Sequence, residues 1–204
     1  MKRHLLIDIG GVLARKQDYA PGYMNLKKRF GLDPEIEIKI RKKNAKRLNL
    51  STMKYRDDIQ EVNNEMTKRN PYYIRMTEKQ YLDGLFKKSK FNKDLIRYIR
   101  SLKHVKAHIF TNNFESYMKN HTKRMHLRSW TKNIISSHEY GLMKPDPRFY
   151  RLALKIIDAR PEDCILLDNE EKNIETAKKL GMHAILYKNN IQTKKEMKKL
   201  LEDD

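Results

Sequence analysis

The side chains best suited to chemistry are Asp8, Thr111, Lys144 and Asp168. Three apolar runs each stop at one of them: Leu5-Leu6-Ile7 at Asp8, Val105 to Phe110 at Thr111, and Cys164 to Leu167 at Asp168. Lys144 lies between the second and third runs, in the turn-rich stretch Tyr140-Gly141-Leu142-Met143-Lys144-Pro145-Asp146-Pro147. A carboxylate can attack phosphorus and form an acyl phosphate. A hydroxyl and backbone amides can hold phosphoryl oxygens, while a lysine offsets charge that develops in the transition state. Asp8 and Asp168, with a backbone carbonyl, supply the hard oxygen ligands that Mg²⁺ prefers. A divalent ion would also relieve repulsion between a carboxylate nucleophile and a phosphate dianion. Taken alone, Asp8 before Gly10-Gly11 also reads as a strand ending in an Asp-capped turn. Agreement among the later segments favours a shared pocket.

Bringing these groups together requires strands that end on one edge of a sheet. Continuous apolar runs are those of strands buried on both faces of a parallel sheet, whose C-terminal edge is where ligands bind. From Asn92 onward strands and helices alternate, with strands at Val105–Thr111, near Asn133–Ser136, at Cys164–Leu167 and at His183–Tyr187. The expectation is an α/β chain: a Rossmann-like parallel sheet flanked by helices, with right-handed crossovers. Residues 14–90 read as helices without convincing strands. They give a division into a core, residues 1–13 and 91–204, and an inserted α-helical cap, residues 14–90.

Within that insert, a short helix is expected from Asn25 to Phe30, closed by Gly31. Asp33-Pro34-Glu35 marks the next helix start. Ile36, Ile38 and Ile40 alternate at period two as in a strand, yet the following charged run suits a helix, and helix is the reading. Ser51 or Thr52 is expected to cap a third helix reaching Arg69. Thr77 and Gln80 resemble a capping box for a fourth, ending near Lys88.

The chain has 204 residues and a formal net charge of +19. Its length suits one domain, or one with an insert. The insert carries twice as many basic as acidic side chains, densest at Lys39, Arg41, Lys42, Lys43, Lys46 and Arg47. Such a run reads as a solvated helix face, with a surface for nucleic acid or an acidic partner as the competing reading. The single cysteine, Cys164, permits no internal disulfide and reads as a core thiol in a reducing interior such as the cytoplasm. No apolar run reaches the roughly 20 residues of a membrane helix. Met1-Lys2-Arg3-His4 leads directly into the first strand, which is not the pattern of a signal peptide. His108 and His183, in apolar strands, read as packed. Trp130 reads as core or interface, and Asp146 as a loop hydrogen-bonder.

Four segments in order resemble the motifs of the haloacid dehalogenase superfamily. They are Asp8-Ile9-Gly10-Gly11-Val12-Leu13, Ile109-Phe110-Thr111-Asn112-Asn113, Gly141-Leu142-Met143-Lys144-Pro145-Asp146, and Leu166-Leu167-Asp168-Asn169 with Asn173 and Ala177 to Gly181 behind it. The resemblance covers the start and everything after about Asn92. It is closest to the subset reading Asp-x-Gly, similar to sugar-phosphate phosphatases, and the insert sits where the family places a helical cap. It implies Asp8 as nucleophile, Thr111 and Asn112 as substrate binders and Lys144 as charge clamp. Asp8, the Gly10 carbonyl, Asp168 and Asn169 are implied to form the metal site, with Mg²⁺ as cofactor. Two positions depart from the pattern. Most family phosphatases carry an acid at position 10, and Gly10 has no side chain to donate a proton. Asn169 replaces one of two acidic residues, so one negative charge is lost from the metal site.

The resulting expectation is a Mg²⁺-dependent phosphohydrolase acting on a small phosphorylated metabolite through an aspartyl phosphate. A weakly catalytic scaffold that binds nucleic acid or protein through its basic surface is the alternative. A haloacid dehalogenase is the second alternative, opposed by Asp168 and by the absence of an aromatic residue at position 10.

Overall fold

The computed structural model describes residues 3–88 and 90–202. Met1, Lys2, Ser89, Asp203 and Asp204 lie outside the described residues. In chain order, β1 (Arg3–Ile7) leads into α1 (Lys16–Phe30), α2 (Pro34–Asn49), α3 (Tyr55–Arg69) and α4 (Glu78–Lys88). Then come α5 (Lys93–Ser101), β2 (Val105–Thr111), α6 (Glu115–Arg124), β3 (Ile134–Ser136), α7 (Ser137–Tyr140) and α8 (Pro147–Ile157). The chain closes with β4 (Cys164–Asp168), α9 (Glu171–Lys179), β5 (His183–Leu186) and α10 (Asn190–Glu202).

The five strands form one sheet in the order β3-β2-β1-β4-β5, and every pairing is parallel. The α/β expectation therefore holds. Because successive side chains alternate across a strand, Leu5 and Ile7 pack on one face with Leu95, Ile99 and Met197. Leu6 packs on the other with Phe149, Tyr150 and Ala177. Both faces are covered, which explains why the strands read as unbroken apolar runs. Cys164 is buried in the second of these cores. Trp130 donates its indole N–H to the Met125 carbonyl at 3.0 Å and packs against the first.

The four helices between β1 and α5 share a separate core that includes Leu26, Val62, Met66, Tyr81, Leu85 and Phe86. Two glycines let α1 and α4 approach closely. A Cβ on Gly22 would fall 1.9 Å from the Leu85 carbonyl oxygen, and one on Gly84 would fall 2.3 Å from Leu26 Cδ2. This corrects the expected start of the first helix. It begins at Lys16 rather than Asn25 and runs through Pro21 and Gly22, a pair that reads locally as a break but here serves helix contact. α2 is helical through Ile36, Ile38 and Ile40, with Asp33 capping the Glu35 amide at 2.8 Å. Ser51 and Thr52 do not cap α3. Thr52 Oγ1 instead donates to the Arg47 carbonyl at the end of α2, and Lys54 holds the cap position of α3 without a side-chain bond. The Thr77–Gln80 capping box is present, with Gln80 N to Thr77 Oγ1 at 3.2 Å and Thr77 N to Gln80 Oε1 at 2.9 Å. Lys39, Lys42, Lys43, Lys46 and Arg47 are exposed on α2, whereas Arg41 turns inward.

Candidate active site

Connections leave β1 toward β2 and β3 on one side, while β4 and β5 lie on the other. The strand order therefore reverses beside β1, and in an open parallel sheet the crevice at such a switch receives the ligand. Asp8 follows β1 and Asp168 ends β4, so two carboxylates lie at this edge of the sheet. Asp8 is 8% exposed and Asp168 fully buried.

Lys144 joins them. Its Nζ donates to Asp8 Oδ1 at 3.0 Å, to Asp168 Oδ2 at 2.5 Å and to the Phe110 carbonyl at 2.9 Å. Thr111 Oγ1, at the end of β2, donates to the same Asp8 Oδ1 at 2.7 Å. Asp168 is fixed further by Asn173 Nδ2 at 3.0 Å and by the Glu170 amide at 2.9 Å. These bonds load Asp8 Oδ1 and orient the carboxylate. Oδ2 faces the Gly10 backbone, where an added Cβ would lie 3.6 Å away.

Burial, opposed by Lys144 and reinforced by the Asp168 charge, raises the Asp8 carboxyl to about 6. It is thus mainly ionised at neutral pH. Burial works against the Lys144 charge, but Asp8 and Asp168 outweigh it and hold the ammonium above its ordinary range. The lysine stays cationic between the two acids.

The remaining expected site residues fall around this centre. Asn112 Nδ2 donates to the Lys144 carbonyl and Asn112 Oδ1 accepts from the Lys144 amide, both at 2.8 Å. Its amide side chain thereby sets the backbone of the lysine loop. Gly11, at φ 77°, leaves room for Asn169, whose Cγ lies 2.4 Å from where a Cβ would stand. Asn169 Nδ2 leans to Glu170 Oε1 at 3.3 Å. Asp146 caps α8 through the Arg148 amide at 2.9 Å, a structural task. His108 is buried beside His4 at 3.2 Å and Asn133 at 3.1 Å, below the reactive edge.

The donor atoms at this edge fit Mg²⁺. Asp8, Asp168, the Gly10 carbonyl and the Asn169 amide offer oxygen only, and Mg²⁺ is usually held by one or two carboxylates plus substrate phosphate and water. Among the described residues no group of three or more His, Cys, Asp or Glu side chains is placed to hold a metal.

A cavity of about 280 Å³ lies next to this edge, bordered by Gly10 and Asn112. Gly10, Asn112 and His121 line it on the sheet side, and Tyr19, Tyr23 and Arg41 on the helical side. The sequence reading missed this second set. Glu37, Arg41, Asn44 and Leu48 recur at helical spacing on α2, and that period was the available signal for an inward polar face. Burial drives His121 down to about 3, so the ring is neutral. Tyr19 Oη lies 3.2 Å from its Nε2.

A five-stranded parallel sheet with two lysine-bridged carboxylates at its C-terminal edge defines this α/β protein. The family model described as haloacid dehalogenase-like hydrolase matches residues 27–187, and the chain belongs to that family. A HAD-family enzyme from Bacteroides thetaiotaomicron, solved in complex with magnesium and inorganic phosphate, aligns with a TM-score of 0.72. The alignment has 16% identity and covers 92% of this chain and 95% of that one. Rat bifunctional epoxide hydrolase 2 is 30% identical over 67 residues, 33% of this chain and only 12% of that protein. A phosphoserine phosphatase from Thermus thermophilus is 36% identical over 53 residues, 26% of this chain and 21% of that protein. Among the described residues no helix is long and apolar enough to cross a membrane.

Proposed function

We propose that this protein is a Mg²⁺-dependent phosphohydrolase of small phosphorylated metabolites, working through a phosphorylated Asp8. One observation carries the reading: Lys144 and Thr111 hold a single oxygen of Asp8, while the other, Oδ2, lies beside the Gly10 backbone. The partial similarity to the Thermus phosphoserine phosphatase is in keeping with phosphoryl chemistry.

In this mechanism Asp8 Oδ2 attacks phosphorus, and the bond to the leaving oxygen breaks as the new O–P bond forms. The leaving group departs as an anion and takes its proton from solvent, because Gly10 offers none. Water then attacks the phosphorus, releasing inorganic phosphate and regenerating the carboxylate. Lys144 stays charged throughout and offsets the negative charge that builds on the phosphoryl oxygens. Thr111 keeps the nucleophile in its reactive orientation. Mg²⁺, held by Asp8, the Gly10 carbonyl and Asp168 with Asn169 alongside, would neutralise charge between carboxylate and phosphate. Helices α1–α4 form the cap, which covers the site, excludes water and selects the substrate.

Hydrolysis of an activated aryl phosphate, with Mg²⁺ and with chelator, tests the assignment. The proposal requires turnover that stops in chelator. Release of halide from a 2-haloacid in chelator, without phosphatase activity, would instead make the protein a dehalogenase.

A further inference from the structure

Helix α2 carries a row of cations that the chemistry at Asp8 does not use. Lys39, Lys42, Lys43, Lys46 and Arg47 are exposed, and their three- and four-residue spacing sets them side by side along one face. At about 1.5 Å of rise per residue the row is about 12 Å long. After Glu37 the helix has no acidic residue, and like charges at these spacings destabilise a helix. Among the described residues, Lys43 alone of the five has an acidic partner, Glu61 at 3.5 Å. Other helices mix their signs. Arg69 pairs with Glu65 on α3 and Lys119 with Glu115 on α6, each at 2.7 Å, and Lys198 lies 3.6 Å from Glu202 on α10. Arg41 is not part of the row, because Glu37 and Asp58 hold it inside.

We propose that this face of α2 binds the phosphate backbone of a nucleic acid duplex. A duplex presents a dense, regular line of negative charge, and cations that neutralise its phosphates release the counterions condensed there. The repulsion that the row imposes on the free helix becomes complementarity against such a partner. No aromatic side chain interrupts the row: the α2 residues between Lys39 and Arg47 that do not belong to it are Ile40, Arg41, Asn44 and Ala45. Proteins that hold single strands stack the bases on aromatic rings, so this face fits a duplex held through its backbone, without sequence preference. The groove between α2 and α3 places Glu61 and Glu65 beside Lys39 and Lys43. The least compensated charge is therefore that of Lys42 and Lys46, which do not line the groove.

Fluorescence anisotropy of a labelled duplex of mixed sequence, in DNA and in RNA form, tests the proposal on the full chain. The wild type should bind at low salt and lose affinity about 10²–10³-fold between about 50 and 200 mM salt, as expected for some five phosphate contacts. The double variant Lys42→Gln, Lys46→Gln should bind about tenfold more weakly at low salt and show a salt slope smaller by about 2, at roughly 0.9 per lost contact. Lys195→Gln with Lys199→Gln on α10 removes the same charge at the same spacing, and should change neither quantity. Thermal midpoints near that of the wild type show that both variants fold. Three results would overturn the proposal. One is no anisotropy change with either duplex at the lowest salt, and another is equal weakening by the two pairs of substitutions, which would mean attraction to the whole charged surface. The third is tighter binding to a single strand, or to phosphatidylserine vesicles, than to either duplex.

Discussion

Restoring an acid at position 10 is the sharpest perturbation the geometry offers. Gly10 is exposed and does not adopt a left-handed φ. Its nearest neighbour to an added Cβ is Asp8 Oδ2 at 3.6 Å, ordinary van der Waals contact. Gly10→Asp should therefore fold with little change in thermal midpoint. The new carboxyl would stand beside the ionised Asp8, and like charge favours its protonated form, the form a general acid needs. Positioned acids contribute roughly 10²–10⁴-fold. The gain should appear only where the leaving group needs a proton. The assay is kcat for a series of phosphate monoesters, from p-nitrophenyl to simple alkyl. The wild type should show a steep dependence on leaving-group pKa. Gly10→Asp should raise the alkyl rates about 10²-fold or more, leave the aryl rate nearly unchanged and flatten the dependence. A folded, Mg²⁺-responsive variant with unchanged alkyl rates would refute the reasoning, as would an equal rise across the series.

Three further outcomes follow from the same site and its scaffold. Asn169→Asp returns a negative charge beside Asp168 and should lower the Mg²⁺ concentration for half-maximal activity about tenfold, read from a metal titration at fixed substrate. Lys144→Met leaves Asp8 and Asp168 buried without their shared cation. Asp8 should then hold its proton at neutral pH, activity should fall more than about 10²-fold, and urea unfolding should show a loss on the order of 3–5 kcal/mol. Burial, with the His4 and Lys106 charges, lowers His108 to about 4 from an ordinary 6.5. As pH falls between these values the unfolded chain takes up the proton first. Stability is therefore full above about 6.5 and declines toward 4, by at most about 3 kcal/mol from this residue. Urea midpoints at pH 7.5 and 4.5 should differ less in His108→Gln than in wild type.

The meeting of Asp8, Thr111, Lys144 and Asp168 was legible because each of these groups is announced locally. Asp8, Thr111 and Asp168 close apolar runs, and a parallel sheet can only bring such ends to one edge. Lys144 was legible from its turn-rich setting between two of those runs. What local pattern could not show is contact between distant helices. Pro21-Gly22 reads as a break, yet Gly22 is glycine because the Leu85 carbonyl occupies the space of its side chain. Ser51-Thr52 reads as a helix start, yet Thr52 finishes the preceding helix. Arg41 lies within a run of solvated lysines, and composition gives it no separate identity. Only its register with Glu37, Asn44 and Leu48 turns it inward, and its partner Asp58 comes from the next helix.

Covalent phosphorylation of Asp8 is the central step of the proposed mechanism. Rapid acid quench of the protein during turnover of a ³²P-labelled aryl phosphate in Mg²⁺ measures it directly. Label should appear on the peptide containing Asp8, decay at the rate of phosphate release, and be absent from Asp8→Asn. Phosphate release by Asp8→Asn at the wild-type rate, or steady turnover with no label on Asp8 at any quench time, would contradict the account.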